Sequence, residues 1–330
     1  MRGPLRIRYC RSCGVQLGDL DRFCDECGAA LARAGDYSVT YGPVVAQNGV
    51  APQRILGIID DLVLLSVLGE GGMGIVYRAL AAQSGQEFAV KTVRESLQLK
   101  TRSLVARLEA EAQRQSSVVD PNVVRVFRFI SREQLAIVME LVEGPTLEIA
   151  AQQAGGVMPV AMAIHMGSQM ARGLSVVHAH GYLHLDVKPS NFLVANIAGA
   201  RSRLKIADFG IARELAGAMS GEPRFAGGTP GYMSPEQILR GHLDVRSDLY
   251  SLGCVLHELL SGRPVFEAAT TATLQAAHCG ASPAPLERIR PDVPVSLARL
   301  VDALLSKSVG GRPSSAGAVD EALRAIEGGT

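Results

Sequence analysis

The stretch His184–Asn191 (HLDVKPSN) decides how this 330-residue chain is interpreted. It supplies a carboxylate at Asp186, an amine at Lys188 and an amide at Asn191. A second carboxylate, Asp208, follows 22 residues after Asp186 and opens a DFG triplet. Transfer of a phosphoryl group from a Mg²⁺-bound nucleotide needs one acid at the attacking hydroxyl and further oxygen ligands on the metal. The two stretches together predict this chemistry.

A glycine-rich segment, Gly69–Tyr77 (GEGGMGIVY), lies upstream of that stretch. By itself a G-x-G-x-x-G pattern also fits a dinucleotide-binding fold, in which a helix follows the glycines directly. Here the β-favouring residues Ile75–Tyr77 follow instead, and a second predicted strand, Glu87–Val93, carries Lys91. This order predicts a glycine-rich hairpin over phosphates, with Lys91 as the cation for the α- and β-phosphates.

A helix predicted over Thr101–Ser117 offers a carboxylate to hold Lys91. Glu111, ten residues before Pro121, is the preferred partner, and Glu109 is predicted to be a solvated charge on the helix face. The end of this helix is unusually polar, which predicts a helix that is not permanently seated.

Two more strands are predicted over Val123–Ile130 and Leu135–Leu141. The second strand leads into the connector Glu140–Gly144, whose backbone suits hydrogen bonding to adenine, with Met139 at the back of that pocket.

Four of the six cysteines form two C-x2-C pairs separated by ten residues, namely Cys10, Cys13, Cys24 and Cys27. Two such pairs supply the four thiolates of a closed tetrahedral Zn²⁺ site. The alternative is two disulfides, which a reducing cytosol disfavours. Residues 1–34 therefore resemble a small zinc ribbon with four cysteine ligands, followed by a linker at 35–57.

The charge of residues 1–34 does not favour nucleic-acid binding. Six arginines and four acids give +2, which a tetrathiolate zinc (four negative and two positive charges) cancels. Phosphate binding needs surplus cation, so a protein-docking or purely structural module is the better interpretation of the ribbon.

The composition is that of a soluble globular protein, with 47% hydrophobic and 20% charged residues and a net charge of +1. The basic amino terminus leads into cysteines rather than an apolar stretch, so no secretory signal is expected. The most apolar segment, Ile55–Leu68, is interrupted by two aspartates and is too short to span a bilayer. These features predict a cytoplasmic protein without a membrane partner.

Four further motifs follow in the second half of the chain: Gly228–Tyr232 (GTPGY), Ser234–Glu236 (SPE), Arg246–Gly253 (RSDLYSLG) and Gly311–Pro313 (GRP). With the glycine-rich, lysine and DFG segments in this order, the span from about residue 62 to 327 resembles a bacterial eukaryotic-like Ser/Thr protein kinase. The resemblance implies an α+β, two-lobed kinase fold, preceded here by the ribbon. It places a five-stranded sheet and one helix in a small lobe (about 58–142), and mainly helices in a large lobe (about 143–330), including a long helix over 159–180.

The resemblance also implies roles for single residues. Asp186 is the catalytic base that orients the substrate hydroxyl, Lys188 steadies the γ-phosphoryl group, and Asn191 and Asp208 hold Mg²⁺ or Mn²⁺. The ATP site comprises Leu68, Gly69, Glu70, Gly71, Gly72, Met73, Gly74, Val76, Ala89, Lys91, Glu111, Met139, Glu140 and Val142.

Other positions receive supporting roles from the same resemblance. Thr229 lines the site of the substrate hydroxyl. Glu236 and Arg312 form a buried ion pair that anchors the loop between the DFG triplet and Glu236. Asp248 braces the catalytic-loop backbone. His184 is predicted to be a packed, hydrogen-bonded core residue rather than a proton shuttle. His178 and His180 are predicted to be simple helix-end residues.

Leu185 departs from the family pattern, because many members carry arginine at this position. That arginine meets a phosphate on the activation loop and orders it. Between Asp208 and Glu236 the residues with a side-chain hydroxyl are Ser220, Thr229, Tyr232 and Ser234. All but Ser220 belong to the GTPGY and SPE motifs. The hypothesis is that phosphorylation of this loop does not switch the protein on.

Alternatives remain open at this point. One is a pseudokinase or nucleotide-binding scaffold with the ribbon as interaction module, and another is a ribbon adaptor for nucleic acid. A kinase of small molecules can share the base and metal residues, but the docking segment Gly228–Glu236 favours protein substrates. A protein partner at the ribbon is possible, and the oligomeric state is not predicted.

Overall fold

The structure is a computed structural model that describes residues 8–9, 16–17, 55–70, 74–93, 109–110, 112–113, 115–131, 135–195, 202–207, 213–214 and 228–329. The chain divides into two compact units, of which the first is Met1–Ala112 with Val126–Leu141 and the second is Gln113–Arg125 with Val142–Thr330. Several predicted site residues lie outside the described ranges: Cys10, Cys13, Cys24, Cys27, Gly71, Gly72, Met73, Glu111, Asp208 and Ser220. Most of the predicted linker also lies outside them.

The first unit contains two antiparallel sheets. A short pair joins β1 (Arg8–Tyr9) to β2 (Gln16–Leu17). The larger sheet has the strand order β3-β4-β5-β6-β8-β7. Its strands are β3 (Gly57–Ile59), β4 (Leu62–Glu70), β5 (Gly74–Ala81), β6 (Glu87–Val93), β7 (Val126–Ile130) and β8 (Ala136–Glu140).

One face of the larger sheet is closed by an apolar cluster. Ala79, Val90 and Val138 are at most 1% exposed and pack with Leu62 and Leu64 of β4. Side chains alternate between the faces of a strand, so the residues on either side of Val90 in β6 point to the opposite face. That opposite face bears the predicted nucleotide-binding residues of β6.

The sheet has six strands rather than the five that the family resemblance implies. The sixth, β3, pairs antiparallel with β4 through a tight turn at Asp60 and Asp61. Asp60 has a φ of 56°, a left-handed conformation that aspartate tolerates in hairpin turns. The prediction missed β3 because this strand is only 3 residues long and begins at Gly57, the last residue of the predicted linker.

The strand predicted over Val123–Ile130 begins only at Val126. Val123 instead forms an isolated parallel bridge with Ile206 in the second unit. Val124 N donates to Ile206 O (2.9 Å) and Ile206 N donates to Asn122 O (2.8 Å). These bonds satisfy the backbone groups that a strand would have used, so the prediction of the strand start was wrong.

The second unit is mainly helical. Its helices are α1 (Leu147–Gln153), α2 (Val160–Ala179), α3 (Pro235–Ile238), α4 (Val245–Ser261), α5 (Thr271–Gly280), α6 (Leu286–Ile289), α7 (Val295–Leu304) and α8 (Ala316–Gly329). Short antiparallel pairs join β9 (Tyr182–Leu183) to β12 (Arg213–Glu214), and β10 (Phe192–Ala195) to β11 (Arg203–Ile206). A 3₁₀ turn spans Pro189–Asn191. None of the helices in the described ranges is both long and apolar enough to cross a bilayer.

Helix α2 is the centre of this unit, and α4 and α8 both pack against it. Its bounds match the prediction of 159–180, since Pro159 and His180 are its caps. A Cβ at Gly167 would lie 2.7 Å from Leu256 of α4 and 3.2 Å from Leu323 of α8. Glycine therefore lets the two helices approach α2 closely and fixes the frame on which the predicted catalytic stretch rests.

Candidate functional site

The loop after β9 is organised around the buried carboxylate of Asp248, on α4. Asp248 Oδ2 accepts from His184 N (2.9 Å) and Oδ1 from Leu185 N (2.7 Å). Burial alone would raise the pKa of this carboxyl, but the hydrogen bond and charge of His178, with the His184 amide, hold the pKa below its usual range. The predicted role of Asp248 as a brace of the catalytic-loop backbone is confirmed.

His178 is the partner of Asp248, with Nε2 2.7 Å from Oδ2. The prediction of a simple helix-end residue did not include this contact. His178 and Asp248 are 70 positions apart in the chain, so no local pattern indicates that they meet. Only the packing of α2 against α4 brings them together. His180, which was also predicted to be a helix-end residue, is the C-cap of α2, and its ring Nδ1 lies 2.8 Å from Val176 O.

Leu185 has a φ of 62° and a side chain that is 1% exposed. Its side chain packs with Leu183 and Leu243, and its carbonyl accepts from Gln237 Nε2 at 3.0 Å. A left-handed conformation costs a leucine about 1–2 kcal/mol, which the two backbone hydrogen bonds offset. An apolar side chain held in this cluster offers no charge to a phosphate.

His184 is fully buried, and both of its ring nitrogens have backbone partners. Nδ1 accepts from Asp186 N at 3.2 Å, and Nε2 lies 3.3 Å from Ala207 O. A ring nitrogen that faces an N–H must accept and one that faces a carbonyl must donate, so the two contacts select one neutral tautomer. The predicted role of a packed, hydrogen-bonded core residue is confirmed.

Asp186 is the centre of a polar cluster that remains partly accessible, with a side chain 15% exposed. Its Oδ1 accepts from Thr229 Oγ1 (2.9 Å), and its Oδ2 lies 2.8 Å from Lys188 Nζ. Lys188 Nζ also donates to Thr229 Oγ1 at 2.9 Å. A carboxylate that accepts from one threonine hydroxyl beside an ammonium can orient another hydroxyl in the same way.

Asn191 ends the 3₁₀ turn and is held by Asp186. Its Nδ2 donates to Asp186 O (2.8 Å) and to Asp186 Oδ2 (3.1 Å), which commits both amide hydrogens. Its Oδ1 accepts no hydrogen bond from the described residues. Asn191 O accepts from the amide of Ala207 (2.9 Å), the last described residue before Asp208. The pairing of β10 with β11 thus fixes the chain next to Asn191 at the point where Asp208 follows.

The predicted nucleotide-binding residues of the first unit share a sheet face. Lys91 on β6 lies opposite Val76 of β5, and Ala89 lies opposite Met139 of β8. Residues directly opposite each other, and residues two apart on one strand, point to the same face. The four side chains therefore lie on one face of the sheet.

A helical segment covers this same face. Ala112, the described neighbour of Glu111, packs with Val126 and Ile137, and Ile137 lies opposite Lys91. Glu111 itself lies outside the described residues, so its pairing with Lys91 stays a prediction. Glu109 is exposed, as predicted for a solvated helix-face charge.

The ends of β4 and β5 frame the predicted glycine-rich turn. Leu68, Gly69 and Glu70 end β4, Gly74 begins β5, and Gly69 pairs with Val76. Glu140 ends β8 in the first unit, whereas Val142 belongs to the second unit.

The connector after β8 contains a glycine that its neighbours require. Gly144 has a φ of 152°, and a Cβ built there would lie 1.9 Å from Val194 O on β10. Val194 N also donates to Pro145 O at 2.8 Å. The connector is therefore fixed backbone-to-backbone against the strand that follows Asn191.

The segment after Gly228 is anchored to the helices by buried polar contacts. Arg312, whose side chain is 0% exposed, forms a bidentate pair with Glu236 at 2.7 and 2.9 Å. Burial alone would raise the pKa of Glu236, but the hydrogen bonds and charge of Arg312, with a hydrogen bond from Ser247, hold that pKa below its usual range. The predicted buried ion pair is confirmed.

Tyr232, in the same segment, is held by α4 at both ends. Its hydroxyl donates to Glu258 Oε2 at 2.6 Å, and its carbonyl accepts from Ser251 Oγ at 2.6 Å. Burial, the hydrogen bond to Glu258 and the charge of that carboxylate raise the pKa of Tyr232 well above its usual range. No local sequence signal indicates these contacts, since Ser251 and Glu258 lie 19 and 26 residues away.

Within the described ranges, no three His, Cys, Asp or Glu side chains converge on a point that would hold a metal ion. The four amino-terminal cysteines and Asp208 lie outside those ranges, so their predicted metal sites stay predictions.

The family model for the protein kinase domain matches residues 62–323. The chain is 37% identical over 279 residues to serine/threonine-protein kinase pkn2 of Myxococcus xanthus, covering 81% of this chain and 33% of that protein. It is 35% identical over 271 residues to pkn3 of the same organism (79% and 49% covered). It is 34% identical over 255 residues to PknB of Mycobacterium leprae (76% and 40% covered).

The matched region spans between a third and a half of the length of these curated relatives. The match to the family model begins at Leu62, the first residue of β4, and ends in α8, and it includes every residue of the cluster around Asp186. The chain therefore belongs to the protein kinase family, and the relatives that it resembles are serine/threonine-protein kinases of bacteria.

Proposed function

We propose that this chain transfers the γ-phosphoryl group of ATP to serine and threonine hydroxyls of protein substrates. The observation that carries the proposal is the hydrogen bond from the Thr229 hydroxyl to Asp186 Oδ1 at 2.9 Å, beside Lys188 Nζ. A substrate hydroxyl presented to the same carboxylate meets an acceptor for its proton at Oδ1. Lys188 supplies positive charge next to the oxygen that attacks.

Family membership implies ATP with Mg²⁺ or Mn²⁺ as cofactors, and Asn191 fits a metal ligand. Its amide hydrogens are committed to Asp186, which leaves the Oδ1 oxygen for another partner. Mg²⁺ prefers oxygen ligands, and Asp208 would supply the carboxylate. Bound Mg²⁺–ATP supplies the activated phosphoryl group and neutralises its charge. Lys91 would pair with the α- and β-phosphates and Glu111 would orient Lys91.

The substrate class follows from the docking segment. Gly228–Glu236 places Thr229 on Asp186 and is itself anchored through Glu236 and Tyr232. A segment that is anchored at several points along its length offers an extended surface beside Asp186, which suits the binding of a polypeptide better than that of a small molecule. The kinases among the relatives support protein substrates for this chain as well.

Labelled ATP incubated with the full chain and a mixture of candidate proteins tests the proposal. The wild type is expected to label serine and threonine, and Asp186→Asn is expected to lose the label while it still binds ATP. Asp292→Asn, a change at an exposed carboxylate that is 65% accessible, serves as the control and should label normally. Equal labelling by wild type and Asp186→Asn, or ATP binding without transfer by the wild type, would contradict the proposal, and the second result would indicate a pseudokinase scaffold.

We also infer that residues 1–34 form a zinc ribbon with four cysteine ligands, which serves as a protein-docking or purely structural module. The antiparallel pair β1–β2 supports this inference, because the first C-x2-C pair lies in the sequence between its two strands. Zinc content of the purified full chain, measured by mass spectrometry, should be one ion per chain and should be lost in a Cys10→Ser/Cys13→Ser variant. A zinc-free wild type would contradict the inference. The expected cytoplasmic location and the absence of nucleic-acid partners stay predictions.

A further inference from the structure

The strand that leads to Asp208 has two edges, and a different part of the second unit satisfies each of them. Along one edge, β11 pairs with β10. On the other edge, Val124 N donates to Ile206 O at 2.9 Å, and Ile206 N donates to Asn122 O at 2.8 Å. The backbone of residues 122–124 therefore serves as a short third strand beside Ile206.

Two side-chain amides continue this edge of β11 next to Leu204. Leu204 N donates to Gln169 Oε1 at 2.9 Å, and Leu204 O accepts from Asn122 Nδ2 at 2.8 Å. Gln169 Nε2 donates to Ser202 O at 3.0 Å, one residue before the strand begins. Gln169 and Asn122 are both buried. Their amides thus take the place that the backbone of a longer third strand would occupy.

The partners of Gln169 fix the orientation of its amide. Its Oε1 meets two donors, the backbone N–H of Leu204 and, at 3.2 Å, Asn122 Nδ2. Its Nε2 meets the carbonyl of Ser202 and lies 2.9 Å from His165 Nε2. An amide nitrogen can only donate, so His165 Nε2 accepts. All four hydrogen-bonding positions of the amide are used, and Gln169 links α2 to β11 in one arrangement.

The strand held in this way leads directly to Asn191. The amide of Ala207, which follows β11, donates to Asn191 O at 2.9 Å. Asn191 Nδ2 in turn donates to Asp186 O and Oδ2. Asp208 is the next residue after Ala207 in the sequence and lies outside the described residues. A lengthwise shift of β11 would move Ala207 relative to Asn191, and with it the residue that follows.

We propose that Gln169 and Asn122 are positioning residues that hold β11 lengthwise and thereby set the affinity of the site for the nucleotide-bound Mg²⁺ or Mn²⁺ ion. The inference rests on the proposed function, in which Asn191 and Asp208 hold this ion. Apart from each other, the described partners of the two amides lie on β11, directly before it or on α2, and none belongs to the cluster around Asp186. Their effect therefore reaches the ion only through the strand.

Mn²⁺ binding to the full chain, measured with a non-hydrolysable ATP analogue, tests this effect without phosphoryl transfer. Gln169→Leu keeps most of the bulk of the side chain and removes both hydrogen-bonding groups. Loss of a group that orients a metal ligand weakens metal binding by about 10–100-fold, and Gln169 acts one step further away. The dissociation constant of Mn²⁺, from electron paramagnetic resonance of the free ion, is therefore expected to rise about tenfold. Binding of the analogue in EDTA should be unchanged.

The matched control is Ser168→Ala, at the position before Gln169 on the same helix. Ser168 is also buried, but its hydroxyl donates to Asp320 of α8 and accepts from Arg172 of α2, and it makes no described contact with β11. The control should lose stability without a change in the dissociation constant of Mn²⁺.

A second variant, Asn122→Ala, tests the other amide. It removes the donor to Leu204 O and keeps the backbone bond from Ile206 N. The dissociation constant of Mn²⁺ should rise about threefold, as expected for the loss of one neutral hydrogen-bonding group. This variant replaces Gln169→Leu if that one does not fold.

Amide hydrogen exchange gives a readout that needs neither metal nor activity. Residues 203–207 should exchange faster in Gln169→Leu and Asn122→Ala than in wild type and Ser168→Ala. Unchanged exchange in these residues, or unchanged Mn²⁺ binding in both variants, would overturn the proposal. Mn²⁺ binding that weakens equally in Ser168→Ala would also overturn it, because a general loss of stability would then explain the effect.

Failure of the proposed function gives a different result. A wild type that binds Mn²⁺ with the analogue but transfers no phosphoryl group would refute that function, and the comparison of the variants would still decide whether the two amides position the strand. A wild type that binds no Mn²⁺ with the analogue would overturn the inference itself.

Discussion

Replacing Glu236 by Gln tests the buried ion pair that anchors the docking segment. The change keeps the size of the side chain but removes the charge that faces Arg312, whose side chain is 0% exposed. The guanidinium would lose its charged partner and keep only neutral acceptors, namely the amide oxygen of the introduced glutamine and the carbonyls of Ser306 (2.8 Å), Arg246 (2.9 Å) and Lys307 (3.4 Å). Breaking a buried pair by removing one partner costs about 3–5 kcal/mol. Since whole domains are stable by about 5–15 kcal/mol, the variant should be close to the limit of folding.

Urea unfolding at pH 7 measures this loss directly, with Asp292→Asn as the control. Asp292 pairs with Arg290 at 3.1 Å but is 65% exposed, and exposed pairs contribute little to stability. We expect a large fall in the urea midpoint for Glu236→Gln and almost none for Asp292→Asn. A loss below about 1 kcal/mol for Glu236→Gln, no larger than that of the control, would refute the reasoning.

The same variant has a defined pH dependence. Arg312 holds the pKa of Glu236 below its usual range, so the unfolded state binds the proton first as the pH falls. The stabilisation is therefore fully present above the ordinary glutamate pKa of about 4.3 and is lost as the pH falls through the lower folded value. The difference between wild type and Glu236→Gln should shrink below about pH 4. A difference that grows with acid would contradict the ion-pair explanation.

Three further predictions follow from other parts of the molecule. Gly144→Ala places a Cβ 1.9 Å from Val194 O and should cost at least about 2 kcal/mol in urea unfolding, whereas Gly155→Ala, with a positive φ but open space, should cost about 1 kcal/mol. The pKa of His278 is lowered to about 4, so the unfolded state binds its proton first and stability should fall between about pH 6.5 and 4 by up to about 1.4 kcal/mol per pH unit. His278→Gln should flatten that slope when unfolding is repeated across this range. Ser220→Ala should leave phosphoryl transfer nearly unchanged in the labelled-ATP assay, because Leu185 supplies no charge to a phosphate; a large loss would contradict that hypothesis.

The sequence predicted well where the signal is local. Strand Glu87–Val93 was found with correct bounds because its β-favouring residues lie within the segment itself, whereas the bounds of helix 159–180 came from the resemblance to the family. The partners of Asp248 among the loop amides and the pair Glu236–Arg312 were also predicted, through the resemblance to the family rather than through periodicity.

The failures involve partners that only the fold brings together. Val123 and Val124 have strand-like sequence, yet they pair with Ile206, 82 to 83 positions away in the chain. Gln115 belongs to the polar helix end that predicted a loosely seated helix, but it is 2% exposed and donates to Val124 O at 3.1 Å. A buried, satisfied amide fixes this end of the helix, and no local pattern distinguishes it from an exposed one.

A rapid-quench measurement of phosphoryl transfer to one identified serine-containing protein substrate tests the central claim most directly. With ATP bound to equal extents, Asp186→Asn is expected to transfer at least about 100-fold more slowly than wild type, the loss typical of a missing general base. The Asp292→Asn control should transfer at the wild-type rate. Transfer by Asp186→Asn at the wild-type rate would contradict the assignment of the carboxylate beside Thr229 and Lys188 as the group that orients the acceptor hydroxyl.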